Sequence, residues 1–185
     1  MIEEVIEESG LSLELFEKLY NSTQERTFSK GELLVDQNEH CKYIYIVQEG
    51  LLRMFYYDTK GNDITHWIAT EQNLMTAPHS FFKGSSSQYL VEALEDSTVR
   101  TLTLETLNDL CDQHHEIERF GRLLTLRMFM ELNKKLMDIQ FKTGKERYHS
   151  MLKSHPDIFQ RVKLGHIATY LGMTQVSLSR IRSEI

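Results

Sequence analysis

In this 185-residue chain, the spacing of the apolar residues changes from a strand pattern to a helical pattern near Leu104. Between Arg26 and Leu104 they alternate or cluster in short runs rich in β-branched and aromatic side chains, which indicates strands. After Leu104 they recur every three or four residues, which indicates helices. A β-section followed by a helical section predicts the α+β class.

The first section contains six predicted strands, separated by turn signals such as Lys30-Gly31, Glu49-Gly50 and Lys60-Gly61-Asn62. The strands are predicted at 32–36, 42–48, 51–57, 63–69, 89–93 and 99–104. Many short strands at near-regular spacing are typical of an antiparallel barrel or jelly roll. A short amphipathic helix is predicted before them, at 11–20.

In the second section, helices are predicted at 104–111, 116–138 and 145–154. The long helix has an apolar seam of about three heptads, more than packing against its own β-section requires. We therefore expect a dimer contact, although a helix buried within its own domain would have a similar pattern. The candidate interface residues are Ile117, Phe120, Leu124, Met128 and Leu132.

The last twenty residues, 166–185, have the pattern of a helix-turn-helix. The first helix is interrupted by Gly172, and Thr174 is suited to cap the next one. That second helix directs Leu178 and Ile181 inward. A plain helical hairpin would share this pattern. The polar or exposed candidates for DNA binding are Thr174, Gln175, Val176, Ser177, Ser179, Arg180 and Arg182.

The charge is unevenly distributed. Residues 1–138 hold 13 Lys and Arg against 24 Asp and Glu, whereas residues 139–185 hold 8 against 3. An acidic body with a basic C-terminal section is expected if only that section meets phosphates, and Arg161 and Lys163 are further candidate phosphate contacts. A solvated basic face without a partner is the alternative.

Composition excludes several classes of protein. The N-terminus is acidic and no apolar run approaches the roughly 18 residues of a membrane span, so we expect a cytoplasmic protein without a membrane partner. Cys41 and Cys111 are too few for a disulfide framework or an iron–sulfur cluster. His79 alone is a weak haem ligand, and the adjacent His114 and His115 point to different helix faces. We therefore expect no metal and no cofactor. No motif of an enzyme active site occurs.

The sequence resembles the cyclic-AMP receptor/Fnr family of transcriptional regulators, specifically its short Bacteroidetes-type members. The resemblance is carried by the segments Gly31-Glu32-Leu33-Leu34, Tyr45-Ile46-Val47, Leu52-Arg53, Glu146-Arg147-Tyr148 and Leu178-Ser179-Arg180-Ile181. It implies a cyclic-nucleotide-binding-like β-roll at 1–115, a long dimerisation helix at 116–139 and a helix-turn-helix domain at 140–185. It also implies a homodimer on two half-sites of an operator in double-stranded DNA.

The resemblance does not extend to the family's usual ligand. Cyclic-nucleotide binders hold the ribose and phosphate with a Gly-Glu pair and an Arg followed by Ser or Thr. Here Thr76-Ala77 and Ser87-Gln88 occupy those positions, and Lys83 is the one Lys or Arg nearby. A buried phosphate needs a cation, so we expect no response to cyclic AMP. Thr76, Ala77, Ser86, Ser87 and Gln88 remain candidates for an unidentified small-molecule effector, although a flexible serine loop is the simpler interpretation.

The resemblance also implies the roles of the recognition residues. Arg180 suits guanine, Gln175 suits adenine or a phosphate, and the serines suit the DNA backbone or base edges. Many members have Glu where this chain has Val176, which can contact only a thymine methyl or the groove wall. The sequence stops before the β-hairpin wing of longer relatives, so fewer phosphate contacts are expected. A sensing or interaction module whose helix-turn-helix no longer binds DNA is the alternative function.

Overall fold

The computed structural model describes residues 2–184 and confirms the α+β class. The helices are α1 Ile2–Ser9, α2 Leu13–Asn21, α3 Pro78–Lys83, α4 Leu104–Gln113, α5 His115–Phe141, α6 Gly144–Ser154, α7 Ile158–Arg161, α8 Leu164–Tyr170 and α9 Gln175–Ser183. The strands are β1 Gln24–Phe28, β2 Leu33–Val35, β3 Tyr43–Glu49, β4 Leu52–Tyr57, β5 Asp63–Ala69, β6 Leu74–Met75, β7 Leu90–Ala93 and β8 Ser97–Thr103. None of the helices within residues 2–184 is both long and apolar enough to span a membrane.

The strands form two four-stranded sheets, ordered β1-β8-β3-β6 and β2-β7-β4-β5. The pairs β1–β8, β3–β8, β3–β6 and β2–β7 are antiparallel, as expected for a β-roll. All six predicted strands are present. Two strands were not predicted, because β1 is almost wholly polar and exposed and β6 has only two residues. Each is recognisable only by its pairing with β8 or β3.

The core of the β-section contains one buried ion pair. Arg53 in β4 is 1% exposed, and its Nε donates to Oε1 of Glu92 in β7 over 2.6 Å. The Arg53 side chain is 2% exposed and that of Glu92 is 17% exposed, so most of this pair is shielded from water. The residues buried most completely in this section include Val47, Leu51, Leu52, Met75, Phe81, Val91, Ala93 and Val99.

A second core joins the N-terminal helices to α4 and the start of α5. It consists of Val5, Leu11, Leu110, Ile117 and Phe120, all of which are buried. At its edge, Arg127 in α5 donates to Glu4 at 2.6 Å and to Glu8 at 3.0 Å in α1. Helix α1 was not predicted, yet it is what covers the first turns of α5.

The described residues divide into two compact units whose limits differ from the predicted boundaries at 115/116 and 139/140. The first unit contains residues 2–54 and 68–129, and the second contains residues 55–67 and 130–184. The tip of the β4–β5 hairpin therefore belongs to the second unit, and α5 starts in the first unit and ends in the second. Periodicity could not indicate this, because the hairpin's packing partners lie far away in the sequence.

The turn between β3 and β4 requires glycine. Gly50 has a φ of 99°, and a Cβ there would lie 2.2 Å from Oγ of Ser97. The same hydroxyl accepts a hydrogen bond from the backbone N–H of Leu51. Gly61 also has a positive φ, 80°, but a Cβ there would meet no atom within 4 Å.

We expect Gly50→Ala to lower the free energy of unfolding by about 2–5 kcal/mol, because backbone strain and a steric clash add. Gly61→Ala is the matched control, with strain but no clash, and should cost about 1–2 kcal/mol. Urea denaturation of the three proteins measures both values. Equal losses for the two variants would show that the Ser97 contact is unimportant.

Candidate nucleic-acid interface

Helices α8 and α9 are joined by the tight turn that the sequence predicts. Gly172 adopts a left-handed φ of 67°, and the N–H of Met173 donates to the carbonyl of Ala168 at 3.0 Å. Thr174 then caps α9, with its side-chain oxygen accepting from the N–H of Ser177 at 3.2 Å. Leu178, which is fully buried, fixes α9 to the body of the domain. The two helices therefore have the sequence order and buried contact of a helix-turn-helix.

All seven candidate residues on this helix and its cap are exposed: Thr174, Gln175, Val176, Ser177, Ser179, Arg180 and Arg182. An open groove of about 430 Å³ runs along the helix, lined by Leu164, Gln175, Val176, Ser179, Arg180 and Ser183. A guanidinium, an amide and a hydroxyl thus share one surface with an apolar valine. Such a surface can donate to phosphates and to the acceptors of base edges.

Two of these side chains have partners within the domain. The hydroxyls of Thr174 and Ser177 lie 2.9 Å apart in a hydrogen bond, so part of the capacity of Ser177 is used by the cap. The amide oxygen of Gln175 lies 3.0 Å from the position that a Cβ on Gly165 would take. A side chain at 165 would therefore crowd Gln175, which lines the groove and would have to shift by a few tenths of an ångström.

Sequence reasoning missed the side chain that holds the turn in place. Arg147 in α6 donates from Nε to the carbonyl of Leu171 at 2.7 Å and from its terminal nitrogens to the carbonyls of Lys142 and Gly172. One planar guanidinium thereby joins the segment after α5 to the turn before α9. The Glu146-Arg147-Tyr148 motif marked this residue, but not its function.

The start of α6 packs against the same turn. A Cβ on Gly144 would lie 3.2 Å from the Met173 side chain. A capping box fixes this end of the helix: the Thr143 side chain accepts from the N–H of Glu146, and the Glu146 carboxylate accepts from the N–H of Thr143. The latter hydrogen bond lowers the pKa of Glu146. The turn before α9 thus lies against a helix end that its own capping box fixes.

Hydrogen bonds with α8 and α5 hold the tip of the β4–β5 hairpin within the second unit. The N–H of Thr65 donates to Oγ1 of Thr169 at 3.0 Å, and Nζ of Lys135 in α5 donates to the carbonyl of His66. The Lys135 ammonium lies 3.9 Å from the ring centroid of Tyr170. Burial lowers the pKa of Lys135 to about 8, while the carbonyl and the ring both favour its charged form.

The candidate dimer residues fall into different environments. Ile117 and Phe120 are buried in the second core of their own chain, and Leu124 packs against that core. Met128 is half-buried, whereas Leu132 is 43% exposed. Ile117 and Phe120, which the sequence suggested for a dimer contact, are thus covered within their own chain by residues of α1 and α4. The apolar side chains that α5 does expose are Leu126, Phe129, Met130, Leu132, Leu136, Met137, Ile139 and Phe141.

Among the residues that the sequence suggested for an effector pocket, the two buried hydroxyl groups donate to backbone carbonyls. Thr76 and Ser87 are buried, and their hydroxyls donate to the carbonyls of Tyr43 at 3.1 Å and Tyr89 at 2.7 Å. Ala77 is buried as well, whereas Ser86 and Gln88 are exposed. These five residues supply no cation that could balance a buried phosphate.

Comparisons with known proteins agree with this fold. Residues 25–114 match the family model of the cyclic nucleotide-binding domain. No curated protein matches the sequence. The structure of FixK2 from Bradyrhizobium japonicum is 19% identical, with a TM-score of 0.75 over 88% of this chain and 83% of that one.

Two further structures resemble the chain over most of its length. One is a putative transcriptional regulator of the crp/fnr family from Eubacterium rectale, 15% identical, with a TM-score of 0.70 over 95% of this chain and 83% of that one. The other is the catabolite activator protein of Thermus thermophilus, 19% identical, with a TM-score of 0.61 over 95% and 84% of the two chains. Residues 25–114 therefore belong to the cyclic nucleotide-binding domain family, and the chain has the fold of the Crp/Fnr transcriptional regulators.

Proposed function

We propose that this protein is a dimeric, DNA-binding transcriptional regulator that acts in the cytoplasm and inserts α9 into the major groove. The observation that carries the proposal is the exposed polar and basic face of α9, which follows a capped turn. The excess of Lys and Arg after residue 138 supports it, because a phosphate backbone attracts this section and repels the acidic remainder.

Within this proposal the exposed side chains divide between bases and phosphates. Arg180 donates to O6 and N7 of a guanine, a bidentate contact that its planar fork matches. Gln175 contacts adenine or a phosphate, and Ser179 contacts the backbone or a base edge. Arg182 binds a phosphate, and the backbone N–H of Thr174 binds another.

The second copy in the proposed dimer is bound by the exposed apolar face in the last five turns of α5. Phe129 is 66% exposed, and Phe141 is 74% exposed. An apolar surface of this extent marks an interaction site, and a helix pair would bury it. The proposed contact therefore lies closer to the C-terminal end of α5 than the candidates Ile117 and Phe120.

The β-roll is proposed to act as a sensor that does not respond to cyclic AMP, with an unidentified small molecule or no effector as its input. A ligand can alter DNA binding only if it binds one arrangement of the chain better than another. The hairpin tip is continuous with strands β4 and β5, and its hydrogen bonds to Thr169 in α8 and Lys135 in α5 offer a path for such coupling.

Genomic pull-down with sequencing tests the regulator proposal directly, because it detects DNA binding and recovers the operator together. We expect Arg180→Ala to weaken operator binding by about 1–3 kcal/mol and to relax the base preference at one position of each half-site. Fluorescence anisotropy on the recovered duplex measures the loss, and a second selection measures the preference.

Arg182→Ala is the matched control for this prediction. As a phosphate contact it should weaken all sequences alike and reduce the salt slope by about one, with the base preference unchanged. Failure to recover any preferred site with the wild-type protein would contradict DNA reading. It would favour a sensing or interaction module instead.

The dimer surface predicts the effect of charged substitutions. The double variant Phe129→Asp, Leu136→Asp should raise the dimer dissociation constant about 100-fold or more, since two carboxylates would be desolvated in the interface. Analytical ultracentrifugation measures the change. Leu13→Asp, at a residue of α2 that is 72% exposed, is the control and should leave the dimer intact. A double variant that dimerises normally would place the interface elsewhere.

We expect no binding of cyclic AMP up to about 1 mM in isothermal titration calorimetry, because the ligand position supplies no cation for the phosphate. A cyclic-AMP-binding relative titrated in the same buffer is the positive control. Micromolar binding by this chain would show that another part of the β-roll accepts the nucleotide.

A further inference from the structure

The N-terminal half of α9 exposes one strongly apolar side chain among polar neighbours. Val176 is 62% exposed, and Gln175 and Ser177 flank it. A single exposed apolar residue needs no explanation by itself. Val176, however, lines the same groove as Leu164 of α8 and Arg180. The groove therefore combines an apolar wall with a guanidinium.

The spacing of Val176 and Arg180 matches the spacing of stacked bases. The two residues are four positions apart and so lie on one face of α9, separated by about 6 Å along its axis. Successive base pairs are about 3.4 Å apart. If Arg180 contacts a guanine, Val176 reaches a base one or two steps away on the same groove wall.

Valine can recognise only one feature of the major groove. It has no hydrogen-bond donor or acceptor, and the one apolar group that base edges present there is the C5-methyl of thymine. A cytosine at the same place would direct its N4 amino group at a side chain that cannot accept it, which leaves a desolvated donor. An apolar wall in this groove thus favours thymine over cytosine.

We propose that Val176, together with the adjoining surface of Leu164, is a specificity-determining site that selects a thymine through its C5-methyl group, one or two base pairs from the guanine bound by Arg180. The inference rests on the proposed function and names the base that the operator must contain. Gln175, whose side-chain oxygen lies close to Gly165, lines the same groove beside the proposed position of the methyl group.

Replacement of each operator thymine by deoxyuridine, one position at a time, tests this site because it removes only the methyl group. For the wild-type protein, affinity should fall about fourfold at one position per half-site, the value for burial of one methyl-sized group. For Val176→Ala, whose shorter side chain reaches the thymine methyl less closely, the same replacement should have a much smaller effect on affinity. The alanine variant also controls for changes in DNA shape that deoxyuridine itself causes. Because Val176 is exposed, its replacement should leave folding unaffected.

A second variant tests the same site by a change of preference. Val176→Glu supplies a carboxylate that accepts from the N4 amino group of cytosine, so a repeated selection should recover cytosine in place of the selected thymine. If the wild-type protein binds its operator but tolerates deoxyuridine everywhere, the thymine site is wrong and DNA binding stands. The thymine site is also wrong if the alanine variant remains equally sensitive. If no operator is recovered, both proposals fail.

Discussion

Helix α5 is the constraint on which the rest of the structure depends, because its 27 residues have to satisfy two different apolar environments. Its first turns bury Ile117 and Phe120 beneath α1 and α4. Its later turns leave Phe129, Leu136 and other large apolar side chains exposed. The first turns of α5 are therefore held in the N-terminal core, and the exposed apolar side chains of its later turns are those assigned to the proposed dimer contact.

The second unit has an apolar core in which Ile167, Ala168 and Leu178 are fully buried, and polar contacts to backbone carbonyls join its segments. Arg147 joins the segment after α5 to the turn of the helix-turn-helix, and Lys135 joins α5 to the hairpin tip. Charged donors are stronger than neutral ones and are costly to leave unpaired when buried. These two cations therefore help to fix the positions of α8 and α9 within the second unit.

The β-section has the fold of a cyclic nucleotide-binding domain, and the proposal that it does not respond to cyclic AMP depends on a few of its side chains. Its one buried Arg in the described chain, Arg53, is paired with Glu92, and the hydroxyls of Thr76 and Ser87 donate to backbone carbonyls. The guanidinium and both hydroxyl groups thus have hydrogen-bond acceptors within the protein itself. Fold and ligand are separable because the sheets depend on alternating apolar residues, whereas the ligand depends on a few charges.

The sequence by itself determined the change from strands to helices, six of the strands, the turn at Gly172 and the cap at Thr174, because periodicity and capping depend on neighbouring residues. It also placed the exposed face of α9 correctly, since a buried Leu178 leaves the other side to solvent. Only the tertiary structure decided which α5 residues are covered, that Arg147 holds the turn, and that the hairpin tip belongs to the second unit. These features depend on contacts between residues far apart in the chain, which local sequence patterns do not predict.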